Sequence, residues 1–234
     1  MSNSWFKFKQ FRIEQERCSM KVGTDGVLLG AWFPMTAGCS VLDIGTGTGL
    51  IALMAAQRGA GCVTAVEIDP EAAEQATENA AHSPWKERIE VIHTDIAHFI
   101  GGYQFDRIVC NPPYFRDSLR SPDSGRNMAR HNDSLSYETL VSCSSRLLAD
   151  GGLFCLVLPY DSVGEFIKCA LAEQFELCIR TDVVTSVGKK PKRSLVAFSK
   201  GCSRQETGVL EIRGTDGKET SQYVSLVSDF YLKY

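Results

Sequence analysis

The chain has 234 residues, of which 44% are hydrophobic and 23% charged, with a net charge of −3. That length suits one domain with a full core and excludes fibrous, repeat and globally disordered readings. No apolar run approaches the roughly 18 residues that cross a bilayer, and the opening MSNSWFKFKQF lacks the apolar stretch of a signal peptide, so the expectation is a cytoplasmic protein.

In chain order, a basic stretch comes first, then CSVLDIG (39–45) as a buried strand, a glycine turn, and GLIALMAAQRG (49–59) as a helix stopped by Gly59. CVTAVEID (62–69) reads as the next strand, Pro70 fits the first turn of the helix PEAAEQATENAA (70–81), and RIEVIHTD (88–95) is a third strand. FDRIVCNPPY (105–114) runs from a fourth strand into a proline-stiffened loop, followed by a polar, aperiodic stretch over 115–134. Such a loop is long enough to suggest a role. SYETLVSCSSRLLADGG (136–152) predicts a helix with a glycine stop, GLFCLVLPY a fifth strand and SVGEFIKCALAEQ a helix. FELCIRTDVVTS and RSLVAFSK are separated only by the basic GKKPK and should pair antiparallel. A short GVLEIRG strand and a last helix, SQYVSLVSDFYL, close the chain.

Alternating strands and helices predict an α/β domain, a doubly wound and mostly parallel seven-stranded sheet with a C-terminal antiparallel hairpin. In such a sheet the ligand lies past the carboxyl ends of the strands, where the strand order reverses. Residues 1–234 read as one unit: a basic segment (1–38), a ligand-binding core (39–200) and an extension (201–234).

The loop Asp43-Ile44-Gly45-Thr46-Gly47-Thr48-Gly49 falls between a strand and a helix, where small residues admit a ligand to the backbone. A nicotinamide fingerprint needs a third glycine three places after the second, and position 50 is Leu. Asp43 would repel a pyrophosphate but suits a cationic ligand. Glu67 ends the second strand, where a carboxylate can accept the hydroxyls of a ribose, and Asp95 ends the third, where it can accept from an adenine amino group. Each acid alone reads equally well as a helix cap. Together, at successive strand ends, they fit S-adenosylmethionine, which has a ribose, an adenine, an ammonium and a sulfonium but no phosphate.

Asn111-Pro112-Pro113-Tyr114 follows the fourth strand. Two consecutive prolines hold the backbone outward. An aromatic or amide NH2 is a poor nucleophile because its lone pair is delocalised, and acceptors on its hydrogens localise that pair. The Asn111 side-chain oxygen and the Pro112 carbonyl are candidate acceptors, and Tyr114 offers a face on which a flat target can stack. No metal is required.

Charge is segregated along the chain. Residues 1–24 carry +3, 180–204 carry +6 and 43–115 carry −6. The basic flanks read either as solvated faces or as sites for a polyanion. Lys7, Lys9, Lys189, Lys190, Lys192 and Arg193, together with Arg130 and His131 in the long loop, are the candidate nucleic-acid contacts. Phe6, Phe8 and Phe11 alternate with lysines and read as stacking residues or as buried strand residues. The nine cysteines show no zinc spacing and read as reduced structural thiols.

DIGTGTG, VEIDP, HTD and NPPY, in this order, resemble the class I S-adenosylmethionine-dependent methyltransferases that act on amino nitrogens, with a Rossmann-like fold. With FKFKQF, KVGTDGVLLGAW (21–32), ARH (129–131), GKKPKR and DFYL, the chain is similar more particularly to the bacterial valine-tRNA adenine-N6 methyltransferases. That resemblance implies a tRNA anticodon loop as partner, adenine 37 as target, and Thr24 and Asp25 at the methionine end of the cofactor; a monomer is expected, though no residue pattern sets it. An enzyme acting on a ribosomal RNA base or a protein glutamine amide shares the same acceptor geometry. A glutamine-directed enzyme usually carries a separate N-terminal helical domain, for which the 38 residues before the first strand leave little room. A non-catalytic RNA clamp is the third reading, and the intact Asn111 and acid set count against it.

Overall fold

The computed structural model describes residues 3–112, 135–202 and 204–234. The chain opens with a small hairpin, β1 (Trp5–Lys7) and β2 (Arg12–Glu14), followed by α1 (Thr24–Trp32). Then come β3 (Ser40–Ile44), α2 (Leu50–Gln57), β4 (Cys62–Glu67), α3 (Pro70–Ala81), β5 (Ile89–His93) and β6 (Phe105–Cys110). After the stretch that is not described, α4 (Tyr137–Leu147), β7 (Leu148–Pro159), α5 (Val163–Ala172), β8 (Glu176–Val184), β9 (Arg193–Ser199), β10 (Glu206–Glu211) and α6 (Ser221–Val227) complete it.

The main sheet has the order β10-β8-β9-β7-β6-β3-β4-β5. Only β9 runs against its neighbours, so the β8–β9 hairpin is the antiparallel element of an otherwise parallel sheet. The seven expected strands are present, and the sheet gains an eighth because β10 adds in parallel to the free edge of β8. From β3 the chain moves outward to β4 and β5, then returns to place β6 on the other side of β3. The carboxyl ends of β3 and β6 therefore flank the reversal of strand order, the crevice where such sheets bind ligands.

Successive residues of each strand serve different faces, as the period of two requires. Val41, Val109, Cys155 and Ala197 join α1, α2, α6 and the N-terminal hairpin in one core, whereas Leu42, Ile108, Leu156 and Val196 join α4 and α5 in another. Strands buried on both sides explain their near-continuous apolar runs. Phe8 and Phe11 are buried, and Phe8 stacks on both Phe11 and Tyr231. These rings pack the hairpin onto the domain and are not open to bases. None of the nine cysteines is in a disulfide; six are buried and three half-buried.

Three element boundaries differ from the sequence expectation. The helix expected over 136–152 ends at Leu147, and β7 begins at Leu148, because the Asp-Gly-Gly stretch is absorbed as an irregularity where β7 pairs with β6. The last helix stops at Val227, seven residues long. Helix α1 lies within the segment whose sequence shows only a basic lead-in. It is apolar on nearly every side and buried from Gly26 to Ala31, so it has no polar stripe to betray its period. A Cβ at Gly30 would lie 2.6 Å from Met54 Sδ, so glycine there permits the close packing of α1 on α2.

Candidate active site

A cavity of about 640 Å³ opens at the carboxyl ends of β3, β4 and β6. Its lining joins the glycine loop (Gly45 to Thr48), the end of β4 (Glu67, Ile68, Asp69), the start of α1 (Thr24, Asp25) and Asn111 after β6. The segment Cys18 to Gly23, Gly26, Leu50, Ile51, Ala72 and Leu135 close the rest of its wall.

The loop owes its shape to its glycines: Gly45, Gly47 and Gly49 have φ of 68°, 56° and 80°, in the left-handed region that disfavours other residues. Gly45 and Thr46 donate their backbone N–H groups to the Val66 carbonyl at 2.8 and 3.1 Å, which stitches the loop to β4. Beneath it lies Asp43, buried, with Oδ2 accepting from Thr46 Oγ1 at 2.7 Å and from the Ala52 N–H at 3.2 Å. Its Oδ1 is buried and has no hydrogen-bond partner among the described residues. Burial pushes the Asp43 carboxyl up to about 7, only partly opposed by those two hydrogen bonds.

Glu67 sits at the end of β4, 8% exposed. Its Oε1 accepts from the N–H groups of Ile68 and Asp69 at 2.9 and 3.0 Å, and its Oε2 accepts from Gly47 N–H at 2.8 Å. Three of roughly four acceptor positions on this carboxylate are thus occupied by backbone donors, leaving one on Oε2. Asp69, also on the cavity wall, caps α3 through Oδ1, which accepts from Ala72 N–H at 2.9 Å. Cys18 faces the same cluster, and burial together with Glu67 and Asp69 pushes its thiol up to about 11, so it is held as the neutral thiol.

At the other end, Asn111 lies between Met20 and Gly26. Its Nδ2 approaches Met20 Sδ at 4.0 Å, and a Cβ on Gly26 would come 3.8 Å from Nδ2 and 3.1 Å from Leu50 Cδ2. Pro112 is buried behind it.

The structure thus brings together Thr24, Asp25, Gly45, Gly47, Glu67 and Asn111 from the residues singled out in the sequence. It places three others away from the lining. Asp43 is turned inward to hold the loop, Gly49 is the buried N-cap of α2, and Asp95 caps its own turn by accepting from Ala97 N–H at 2.9 Å. Pro113, Tyr114, Arg130 and His131 fall outside the described residues.

The basic candidates separate into two groups. Lys189, Lys190 and Lys192 are exposed on the tip of the β8–β9 hairpin, at the same edge of the sheet as the cavity. Arg193, grouped with them by sequence, instead donates its Nε to Oδ2 of Asp25, a residue of the cavity wall, at 2.8 Å. Lys7 is exposed, and Lys9 donates its Nζ to the Ser228 carbonyl at 2.8 Å, tying the hairpin to the C-terminal tail. Sequence reasoning missed Cys18, Met20, Ile68 and Leu135. Only Ile68 carried a signal, its position just after the strand-end Glu67.

No helix among the described residues is long and apolar enough to cross a membrane. Among the same residues no group of three or more His, Cys, Asp or Glu is placed to hold a metal ion.

A mostly parallel sheet with its glycine loop at the strand-order reversal and an Asn-Pro at the next strand end defines a class I methyltransferase. Residues 19–178 match the methyltransferase small domain family. A tRNA1(Val) (adenine(37)-N6)-methyltransferase of Bacteroides fragilis strain YCH46 is 46% identical over 238 aligned positions, covering 100% of both chains. One from Yersinia enterocolitica is 42% identical and covers 98% of this chain and 93% of its own. Among solved structures, a predicted O-methyltransferase from Agrobacterium tumefaciens superposes with a TM-score of 0.69 at 24% identity, covering 88% of this chain and 96% of that one, a likeness of fold. The chain belongs to the methyltransferase small domain family and, within it, groups with the tRNA1(Val) (adenine(37)-N6)-methyltransferases.

Proposed function

We propose that the chain transfers a methyl group from S-adenosylmethionine to the exocyclic N6 of an adenine in tRNA, namely adenine 37 of a valine tRNA. One observation carries this reading: a single cavity runs from a glycine loop and a strand-end carboxylate to Asn111. The full-length relatives named for this reaction support the choice of target.

The donor set suits the cofactor. Glu67, Asp69 and Asp25 give the cavity carboxylates for hydroxyl and ammonium groups, while the left-handed glycines let the loop backbone come close. When bound, S-adenosylmethionine supplies an electrophilic methyl on a sulfonium. Glu67 would accept from one ribose hydroxyl through its remaining position on Oε2, and Asp69 would take the second. Asn111 Oδ1 and the Pro112 carbonyl accept from the target NH2, which localises the nitrogen lone pair toward the methyl. Holding the reactants in attack geometry supplies about 7–11 kcal/mol of the barrier. Because the target base must leave its stack, a loop is a cheaper substrate than a duplex.

The exposed lysines of the β8–β9 hairpin, at the same end of the sheet as the cavity, take the RNA backbone, with Lys7, Arg130 and His131 as further contacts. Residues 1–234 work as one methyltransferase unit, a monomer in the cytoplasm. Nucleoside mass spectrometry of tRNAs from a deletion strain tests the reading: N6-methyladenosine is absent from valine tRNA and returns with the gene. Loss of a methyl from ribosomal RNA or from a protein glutamine instead transfers the activity to that substrate.

A further inference from the structure

The cavity exposes an apolar side chain at each of its two ends. Ile68, 60% exposed, follows Glu67 directly and belongs to the cofactor end. At the opposite end is Met20, 48% exposed, with its sulfur 4.0 Å from Asn111 Nδ2. Asn111 is the residue whose side chain receives the target amino group. A base donating in its own plane to Asn111 Oδ1 must extend alongside whatever flanks the amide, and Met20 flanks it at the rim. On another side the amide faces Gly26, where an added Cβ would already stand 3.8 Å from Nδ2 and 3.1 Å from Leu50 Cδ2. Among the described residues beside the amide, Met20 is the apolar side chain that stays half open.

We propose that Met20 forms an apolar wall of the acceptor-base pocket, packing its thioether on the adenine that Asn111 holds. This assignment rests on the adenine-N6 reading above. A base taken from an anticodon loop arrives unstacked and needs a replacement contact for its face. A thioether on an unbranched, flexible stem fits an aromatic ring well and makes favourable sulfur–ring contacts. In the free protein this side chain stays half open to water, and covering it is a gain available only when the base is present.

The test uses the full chain, a valine tRNA transcript and tritiated S-adenosylmethionine, with Met20→Ala and Met20→Leu compared to wild type. Met20→Ala raises the KM for tRNA about tenfold while cofactor affinity by calorimetry stays within about twofold, and Met20→Leu, which keeps the apolar volume, recovers most of the effect. An unchanged tRNA KM in Met20→Ala, or a defect that falls on cofactor affinity, overturns the assignment while leaving the adenine reading intact. A wild-type chain that methylates no tRNA adenine overturns the functional reading, and this assignment with it.

Discussion

The backbone N–H of Gly47 donates to Glu67 Oε2 at 2.8 Å, so the second glycine of the loop after β3 is tied to the carboxylate that ends β4. With Ile68 and Asp69 N–H groups on Oε1, Glu67 satisfies three backbone donors at once. It shapes the loop and keeps one acceptor position, which the proposed function gives to a ribose hydroxyl. Glu67→Gln turns an amide NH2 toward one of these N–H groups and leaves it unsatisfied, a cost of about 1–3 kcal/mol. Calorimetry then finds cofactor affinity weakened about tenfold or more, and hydrogen exchange finds the Gly47 amide less protected. A Kd within twofold of wild type would shift the ribose contact to Asp69.

Asn111 makes a different prediction because the proposed function has it act on the acceptor. Asn111→Ala lowers kcat by about 10²–10³, the scale seen when one transition-state hydrogen-bonding group is removed, while cofactor affinity is nearly unchanged. Gly26→Ala stands beside the same amide, and its Cβ would meet Leu50 Cδ2 at 3.1 Å. At 3.8 Å from Nδ2 the added methyl leaves the amide in place, so its cost falls on packing against Leu50 and kcat stays far closer to wild type than in Asn111→Ala. Single-turnover methyl transfer measured with both variants separates the two effects.

Much of this site was legible from strand ends. The glycine loop, Glu67 and Asn111 each follow an apolar run whose period and length fix the strand, so their convergence followed from the doubly wound order. Asp43 is ambiguous in sequence for a physical reason: two residues before the first glycine, its side chain could face ligand or core, and the hydrogen bonds to Thr46 and Ala52 that turn it inward are tertiary. Arg193 looked like its lysine neighbours because charge runs carry no information about partners 168 positions away, and its pairing with Asp25 emerges only in the fold. Met20 gave no signal, since a methionine in an aperiodic stretch reads as core or surface with equal ease.

The separation of Arg193 from the hairpin lysines is measurable. Replacing Lys189, Lys190 and Lys192 together by Ala reduces the salt dependence of tRNA binding, by about 0.7–0.9 in the log–log slope for each phosphate that the hairpin no longer neutralises. Arg193→Ala leaves that slope nearly as in wild type but weakens cofactor binding a few-fold, because a part-exposed pair holding Asp25 at the cavity wall is removed. An unaltered slope in the triple variant would make the hairpin tip a solvated turn, and a reduced slope in Arg193→Ala would return Arg193 to the RNA surface.

Asp43 gives the protein a pH dependence of a definite sign. The native carboxyl keeps its proton up to about 7 because of burial, whereas the unfolded chain releases it near the ordinary 3.8. Between those values the native state holds more protons than the unfolded state, so this residue's contribution to stability falls as pH rises from about 4 to about 7. The groups acting on it are Thr46 and the Ala52 N–H, which favour the charged form, and Glu67, which opposes it. Asp43→Asn keeps an acceptor for Thr46 and Ala52 but cannot ionise. Relative to wild type, its Tm rises by about a few degrees between pH 5 and pH 8. Thermal melts of both proteins across that range check this, and a difference that is flat or that falls with pH would mean that Asp43 is ionised in the native protein throughout.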